Sequence, residues 1–133
     1  MPALDQIMRK ELKTVAHDTL VMEAAKRMRD ERVGSLLVEQ NGQVVGIITE
    51  TDVVRRAVAE GKDPRQYKVG SIMTTPLATI QSVRTVQDAH DMMGDLGVRH
   101  LGVTQGGKLV GLVSVRDLLV YFKRVSEPRI TQD

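Results

Sequence analysis

Two short stretches place a hydroxyl and a carboxylate at one fixed spacing: Thr49-Glu50-Thr51-Asp52 and Ser114-Val115-Arg116-Asp117. Each follows a glycine and two aliphatic residues, Gly46-Ile47-Ile48 in the first and Gly111-Leu112-Val113 in the second. Two chemistries suit this pattern. A hydroxyl three residues ahead of an acid forms a capping box. The hydroxyl accepts a free N–H of the first helical turn, and the acid reaches back and complements the helix dipole. On that reading, Gly46 and Gly111 only let the strand end bend. The same atoms also suit a ligand. A strand ending in glycine permits close backbone approach, and the hydroxyl and N–H groups at the helix start meet phosphate or sugar oxygens. The carboxylate can accept hydrogen bonds from the vicinal hydroxyls of a ribose.

Charge separates the two copies. The second contains Val98-Arg99-His100-Leu101 where the first has Val33-Gly34-Ser35-Leu36. Arg99 offers a rigid fork of donors matched to phosphate, and His100 adds a donor whose charge depends on pH. A solvated strand-edge arginine and a satisfied imidazole explain each residue singly. The adjacent pair is more specific than either alone. Arg116, just before Asp117, either faces solvent or reaches a phosphate.

These residues sit in a duplicated frame. The two Gly-aliphatic-aliphatic stretches are 65 positions apart (111 − 46). The same offset pairs Ile7-Met8 with Ile72-Met73, Ala24 with Ala89, Met28 with Met93, Val33 with Val98, and Gly42 with Gly107. Self-similarity in one register marks a repeated structural unit. Apolar residues at helical spacing predict helices over Val21–Arg32, Thr49–Ala59, Val86–Leu96 and Val115–Lys123, with Asp18 or Thr19 capping the first. Short aliphatic and β-branched runs predict strands at Thr14–Ala16, Ser35–Glu39, Gln43–Ile48, Ala78–Ile80, Val98–Thr104 and Lys108–Val113. Asn41-Gly42 and Gly106-Gly107 read as hairpin turns. The expected organisation is repeat 1 over 7–60, a polar linker over 61–71, repeat 2 over 72–124 and a loose tail over 125–133. Each repeat is β-α-β-β-α and cannot cover its own sheet. Two packed sheet to sheet about a pseudo-twofold axis can, which makes the fold class α+β.

With 41% hydrophobic residues, the 133-residue chain is long enough for a real core and too apolar for disorder. One Phe, two Tyr and no Trp weigh against single-stranded nucleic-acid binding, which relies on aromatic stacking. The absence of cysteine removes disulfides, thiolate metal sites and a cysteine nucleophile. The basic cluster Arg116, Lys123, Arg124 and Arg129 is interspersed with acids, so a solvated surface explains it better than nucleic acid does. No apolar run approaches the roughly 18 residues of a membrane span, and the N-terminus lacks a signal-peptide core. The expected location is cytoplasmic.

Taken together, these features resemble a tandem pair of CBS domains, named after cystathionine β-synthase, in a stand-alone CBS-domain protein. The resemblance runs from about Ile7 to Lys123. It rests on both copies of Gly-aliphatic-aliphatic-Thr/Ser-x-x-Asp, the two Ile-Met lead-ins and Gly97-Val98-Arg99-His100-Leu101. It implies a regulatory module whose clefts take AMP, ADP or ATP, or in some members S-adenosylmethionine or NAD. In a first site it implies Asp52 on the ribose and Thr49 on ribose or phosphate. Thr79 and Ile80 would lie beside the adenine, and Arg99 and His100 on the phosphates. In a second site, Asp117 and Ser114 would take the ribose and hydroxyl roles. Thr14 and Val15 would flank the base, Gly34 and Ser35 would face the phosphates, and Arg116 would be a further phosphate candidate. Lacking an Arg-His pair, the second site should bind more weakly. Gly102 stands where the family often has proline. The resemblance also implies a homodimer through the helical faces Val53-Val54-Ala57-Val58 and Leu118-Leu119-Phe122, and an effector protein not named by the sequence.

Catalysis finds little support. There is no Gly-x-Ser-x-Gly elbow, Walker-type loop or GxGxxG, and His17, His90 and His100 are scattered. No cofactor is required on this reading; an adenosine nucleotide acts as regulatory ligand. The rival is a structural dimerisation module whose clefts are vestigial.

Overall fold

The computed structural model describes residues 2–126; of the tail expected over 125–133, residues 125–126 belong to the last helix and the rest lies outside the described residues. The fold is α+β and consists of two β-α-β-β-α repeats, each built on a three-stranded mixed sheet. They divide into two compact units. The first-repeat unit is Leu12–Leu77, and the second-repeat unit combines residues 2–11 with residues 78–126.

In the first-repeat unit, β1 (Thr14–Ala16) lies parallel to β2 (Ser35–Gln40), which runs antiparallel to β3 (Gln43–Thr49). The β2–β3 turn places Asn41 and Gly42 at φ 53° and 75°, the left-handed pair that a two-residue hairpin needs. Helix α1 (Val21–Glu31) buries Val21, Ala24 and Met28 against Leu36, Val38 and Ile48 of the sheet. Helix α2 opens with one α-turn, Glu50–Asp52, and continues as π-helix over Val53–Val58, where Ala59 N donates to Val54 O. Only Ala57 of this helix is fully buried in the core, while Val54 and Val58 stay exposed.

The second-repeat unit repeats the plan. It has β4 (Thr79–Gln81), α3 (Val86–Leu96), β5 (His100–Gln105), β6 (Lys108–Ser114) and α4 (Val115–Ser126), in sheet order β4-β5-β6. Its core gathers Ile80, Val86, Ala89, Met93, Leu101, Val103, Val113 and Leu118. Strand β5 begins two residues later than the expected Val98. Gly97 closes α3 in the left-handed conformation and Val98 N donates back to Met93 O, so Val98 still belongs to the helix terminus.

The helix caps differ between the units. Thr85 caps α3 in a capping box with Asp88, whereas α1 starts at Leu20 with no side-chain cap, so neither Asp18 nor Thr19 takes that role. At the other end of α1, Arg32 occupies the left-handed position (φ 57°) that Gly97 fills in α3. An L side chain is disfavoured there and glycine is not. Arg32→Gly should therefore stabilise the protein by about 0.5–1 kcal/mol. Thermal melts should show a higher midpoint, and a lower one would mean that the Arg32 side chain supplies a contact worth more than the strain.

The lead-ins carry the least expected feature. Residues 2–11 precede repeat 1 in sequence yet belong to the second-repeat unit: Leu4 is fully buried in its core and Leu4 N donates to Arg84 O. The equivalent segment before repeat 2 docks on the first-repeat unit, with Val69 fully buried there and Val69 N donating to Thr19 O. Every partner in the second arrangement stands 65 positions after its counterpart in the first or 65 before it, since Leu4 matches Val69 and Thr19 matches Arg84. Each lead-in completes the repeat that it does not precede.

Candidate ligand-binding site

Both hydroxyl–acid pairs form capping boxes. At the β3–α2 junction, Asp52 N donates to Thr49 Oγ1 (3.2 Å), and Thr49 N donates back to Asp52 Oδ2 (3.0 Å). At β6–α4, Asp117 N donates to Ser114 Oγ (3.2 Å) and Ser114 N to Asp117 Oδ2 (2.9 Å). The structural role is therefore real in both units. It occupies mainly Oδ2 of each acid, leaving Oδ1 to other partners.

Those other partners come from the lead-ins. Thr74 and Leu112, Arg9 and Ile47 lie on two isolated bridges, Ile47 with Thr74 and Arg9 with Leu112. The first bridge lets Thr74 Oγ1 donate to Asp52 Oδ1 at 2.9 Å, with Arg56 Nε 3.7 Å away one turn along α2. The second sets Arg9 Nε 3.2 Å from Asp117 Oδ1. The backbone approach that glycine permits at the strand end is thus made by the chain itself. A Cβ on Gly46 would stand 2.6 Å from Thr74 O, and one on Gly111 would collide with the Met8 side chain.

Arg99 and His100 lie in the same unit as Asp117 and abut its cap. His100 pairs across the sheet with Ser114, and Val115 N donates to Arg99 O (2.9 Å). Ser35 and Gly34 take the corresponding places beside Thr49, with Glu50 N donating to Gly34 O (3.1 Å). Within units, then, the Arg-His pair accompanies Ser114 and Asp117, while Gly34 and Ser35 accompany Thr49 and Asp52. Arg99 and Arg116 are exposed and make no side-chain ion pair among the described residues. His100 is half-buried, and burial lowers its pKa from 6.5 to about 4; Asp117 opposes the shift, while Arg9 and Arg99 add to it. The imidazole is therefore neutral at pH 7 and can donate one N–H without contributing charge.

Of the residues expected near a base, Thr79 is exposed and Thr14 half-buried, each on the first strand of its sheet. Ile80 and Val15 are buried in the cores of their own units. Sequence reasoning missed Arg9, Thr74 and Arg56. Arg9 and Thr74 do carry a signal, since each directly follows an Ile-Met lead-in at the repeat offset. Among the described residues no group of three or more His, Asp or Glu could hold a metal ion, and no helix is long and apolar enough to cross a membrane.

The CBS-domain family model matches residues 4–59 and again 69–124. The chain belongs to the CBS-domain family. As a CBS pair it is 30% identical over 120 residues to the CBS domain-containing protein YhcV of Bacillus subtilis, covering 90% of this chain and 85% of that protein. It is 32% identical over 119 residues to an uncharacterized protein of Methanopyrus kandleri, covering 88% of this chain but only 61% of that longer relative. Among solved CBS pairs, an uncharacterized conserved protein from Pyrococcus horikoshii superposes with a TM-score of 0.85 at 32% identity, over 92% of each chain. A hexameric CBS-CP12 protein from bloom-forming cyanobacteria reaches 0.83 at 29% identity, over 97% of this chain and 76% of that one.

Proposed function

We propose that this CBS pair is a regulatory module that binds adenosine nucleotides and signals their presence to a partner protein. The observation that carries the reading is the cradle around Ser114 and Asp117. There a carboxylate with one lightly used oxygen, a hydroxyl at a helix N-terminus, a neutral imidazole and two guanidinium groups without an ion-pair partner among the described residues stand within one unit. The acid suits a ribose diol. The helix terminus with Arg99 and Arg116 suits phosphate. The first-repeat cradle of Thr49 and Asp52 has the acid and hydroxyl but Gly34 and Ser35 where the arginine and histidine stand, so it suits a less charged ligand. Thr79 and Thr14 remain the candidates beside a base. Exposed Val54 and Val58 on α2 and exposed Leu119 and Val120 on α4 support self-association of the module.

Calorimetric titration with AMP, ATP, S-adenosylmethionine and NAD tests the reading, with sedimentation of the same samples reporting assembly. Saturable binding of a phosphate-bearing adenosine compound should weaken about tenfold in Arg99→Ala, the scale of one charge-assisted hydrogen bond. Folded protein free of co-purified nucleotide that binds none of the four would overturn the sensor reading and favour a structural pairing module.

A further inference from the structure

We infer that Arg9 is the charge-selective residue of the Ser114–Asp117 cradle: it holds Asp117 when the cradle is empty and gives it up only to a ligand that brings an anion of its own. This deepens the nucleotide reading and rests on it.

Asp117 has about four lone-pair directions to offer, as any carboxylate does. Ser114 N and Ser114 Oγ take two on Oδ2, at 2.9 and 3.0 Å. Arg9 Nε takes a third on Oδ1 at 3.2 Å. A vicinal diol brings two donors and meets one remaining direction. It must therefore displace Arg9. The Asp117 carboxylate is only 14% exposed, so an arginine released from it leaves a sheltered charge partner for open solvent, whereas the Arg9 side chain is 46% exposed and free to swing. A neutral nucleoside offers the displaced guanidinium nothing in exchange. A nucleotide offers phosphate oxygens, for which the planar fork is well matched. The exchange of carboxylate for phosphate then costs little, and the cradle discriminates by charge.

The other unit supplies an internal control. Thr74 stands at the position equivalent to Arg9 and satisfies Asp52 with a neutral hydroxyl, at 2.9 Å to Oδ1. A hydroxyl can rotate aside without stranding a charge, and the arginine nearest Asp52, Arg56, stands farther off with Nε 3.7 Å from Oδ1, so the hold of an arginine on the acid is weaker in that cradle. Arg9 and Thr74 sit on matching lead-ins that dock through matching backbone bridges.

The test compares adenosine, AMP and ATP by calorimetry on the full chain, in wild type, Arg9→Thr, Arg9→Lys and Lys10→Thr. Arg9→Thr installs the other unit's residue, and Lys10→Thr removes an equal charge one position away. Arg9→Thr is expected to narrow the preference for ATP over adenosine by about tenfold, Arg9→Lys to keep part of it, and Lys10→Thr to leave it unchanged. Thermal melts confirm that each variant is folded. If wild type binds nucleotide but Arg9→Thr shifts all three ligands by the same factor, or Lys10→Thr acts as strongly, Arg9 is not the selective residue and the sensor reading survives. If wild type binds none of the three, both fall together.

Discussion

Gly46→Ala should destabilise the protein by about 3 kcal/mol, at the upper end of what overpacking costs. The added Cβ would meet Thr74 O at 2.6 Å, Thr75 Cγ2 at 2.8 Å and Met73 Sδ at 3.2 Å. The nearest obstacle is backbone, which cannot rotate away. Relief requires the Ile72–Thr74 lead-in to retreat from β3, and with it the paired hydrogen bonds Ile47 N to Thr74 O (3.0 Å) and Thr74 N to Ile47 O (2.8 Å). Thr74 would also leave Asp52. Gly111→Ala should cost less, about 1 kcal/mol, because the first atoms met belong to the flexible Met8 side chain and Arg9 O lies farther off at 3.0 Å. Urea titrations of both variants check the ranking. A Gly46→Ala protein as stable as wild type would mean that the lead-in is loosely held.

The second large effect concerns acid. The folded protein holds His100 neutral down to about pH 4, because burial outweighs the attraction of Asp117. The unfolded chain protonates the same ring near 6.5. Between those values the unfolded state binds more protons, so stability falls as pH falls. The loss should reach about 2 kcal/mol at pH 5 and about 3 kcal/mol at pH 4. Asp30, Glu31, Asp63 and Asp91 also have lowered pKa values, each chiefly through hydrogen bonds to nearby side chains, so whatever stability they add is likewise lost as the pH falls. Urea unfolding at pH 7.5 and pH 5, in wild type and His100→Gln, isolates the contribution. The variant should lose most of the pH dependence; an equal slope in both proteins would show that His100 is not held neutral.

Much of this architecture was legible from the repeat itself. One offset of 65 set the two units, and Asn41-Gly42 and Gly106-Gly107 marked both hairpins. The capping reading of Thr49–Asp52 and Ser114–Asp117 also follows from local spacing, because a cap is satisfied within one turn. The box of Thr85 and Asp88 has the same spacing and is as local as the other two. What stayed hidden is non-local. A π-helical turn at Val53–Val58 gives nearly the same apolar pattern as an α-helix over so short a stretch. Nothing in Ile7-Met8 says which repeat it will cover. Arg9 shows its role only beside Asp117, 108 positions later (117 − 9). The resemblance assigns the arginine and histidine to the site of Asp52; that strand register also sets them beside Ser114 and Asp117 in their own unit follows from the β5–β6 pairing, which local spacing does not fix.

The crossed docking of the lead-ins also sets an order of assembly. Leu12–Leu77 is one uninterrupted segment, so its sheet, core and lead-in are all present once those residues have left the ribosome. The other unit is discontinuous: Arg9 must wait for Leu112, which is synthesised 103 residues later (112 − 9), and the closure of so long a loop is slow even though its entropic cost grows only gently with length. Residues 2–11 are made before the rest of their unit and are among the last of it to find their place. During that interval Leu4, Ile7 and Met8 remain without the core that buries or half-buries them, an apolar segment open to chaperones or to a neighbouring nascent chain.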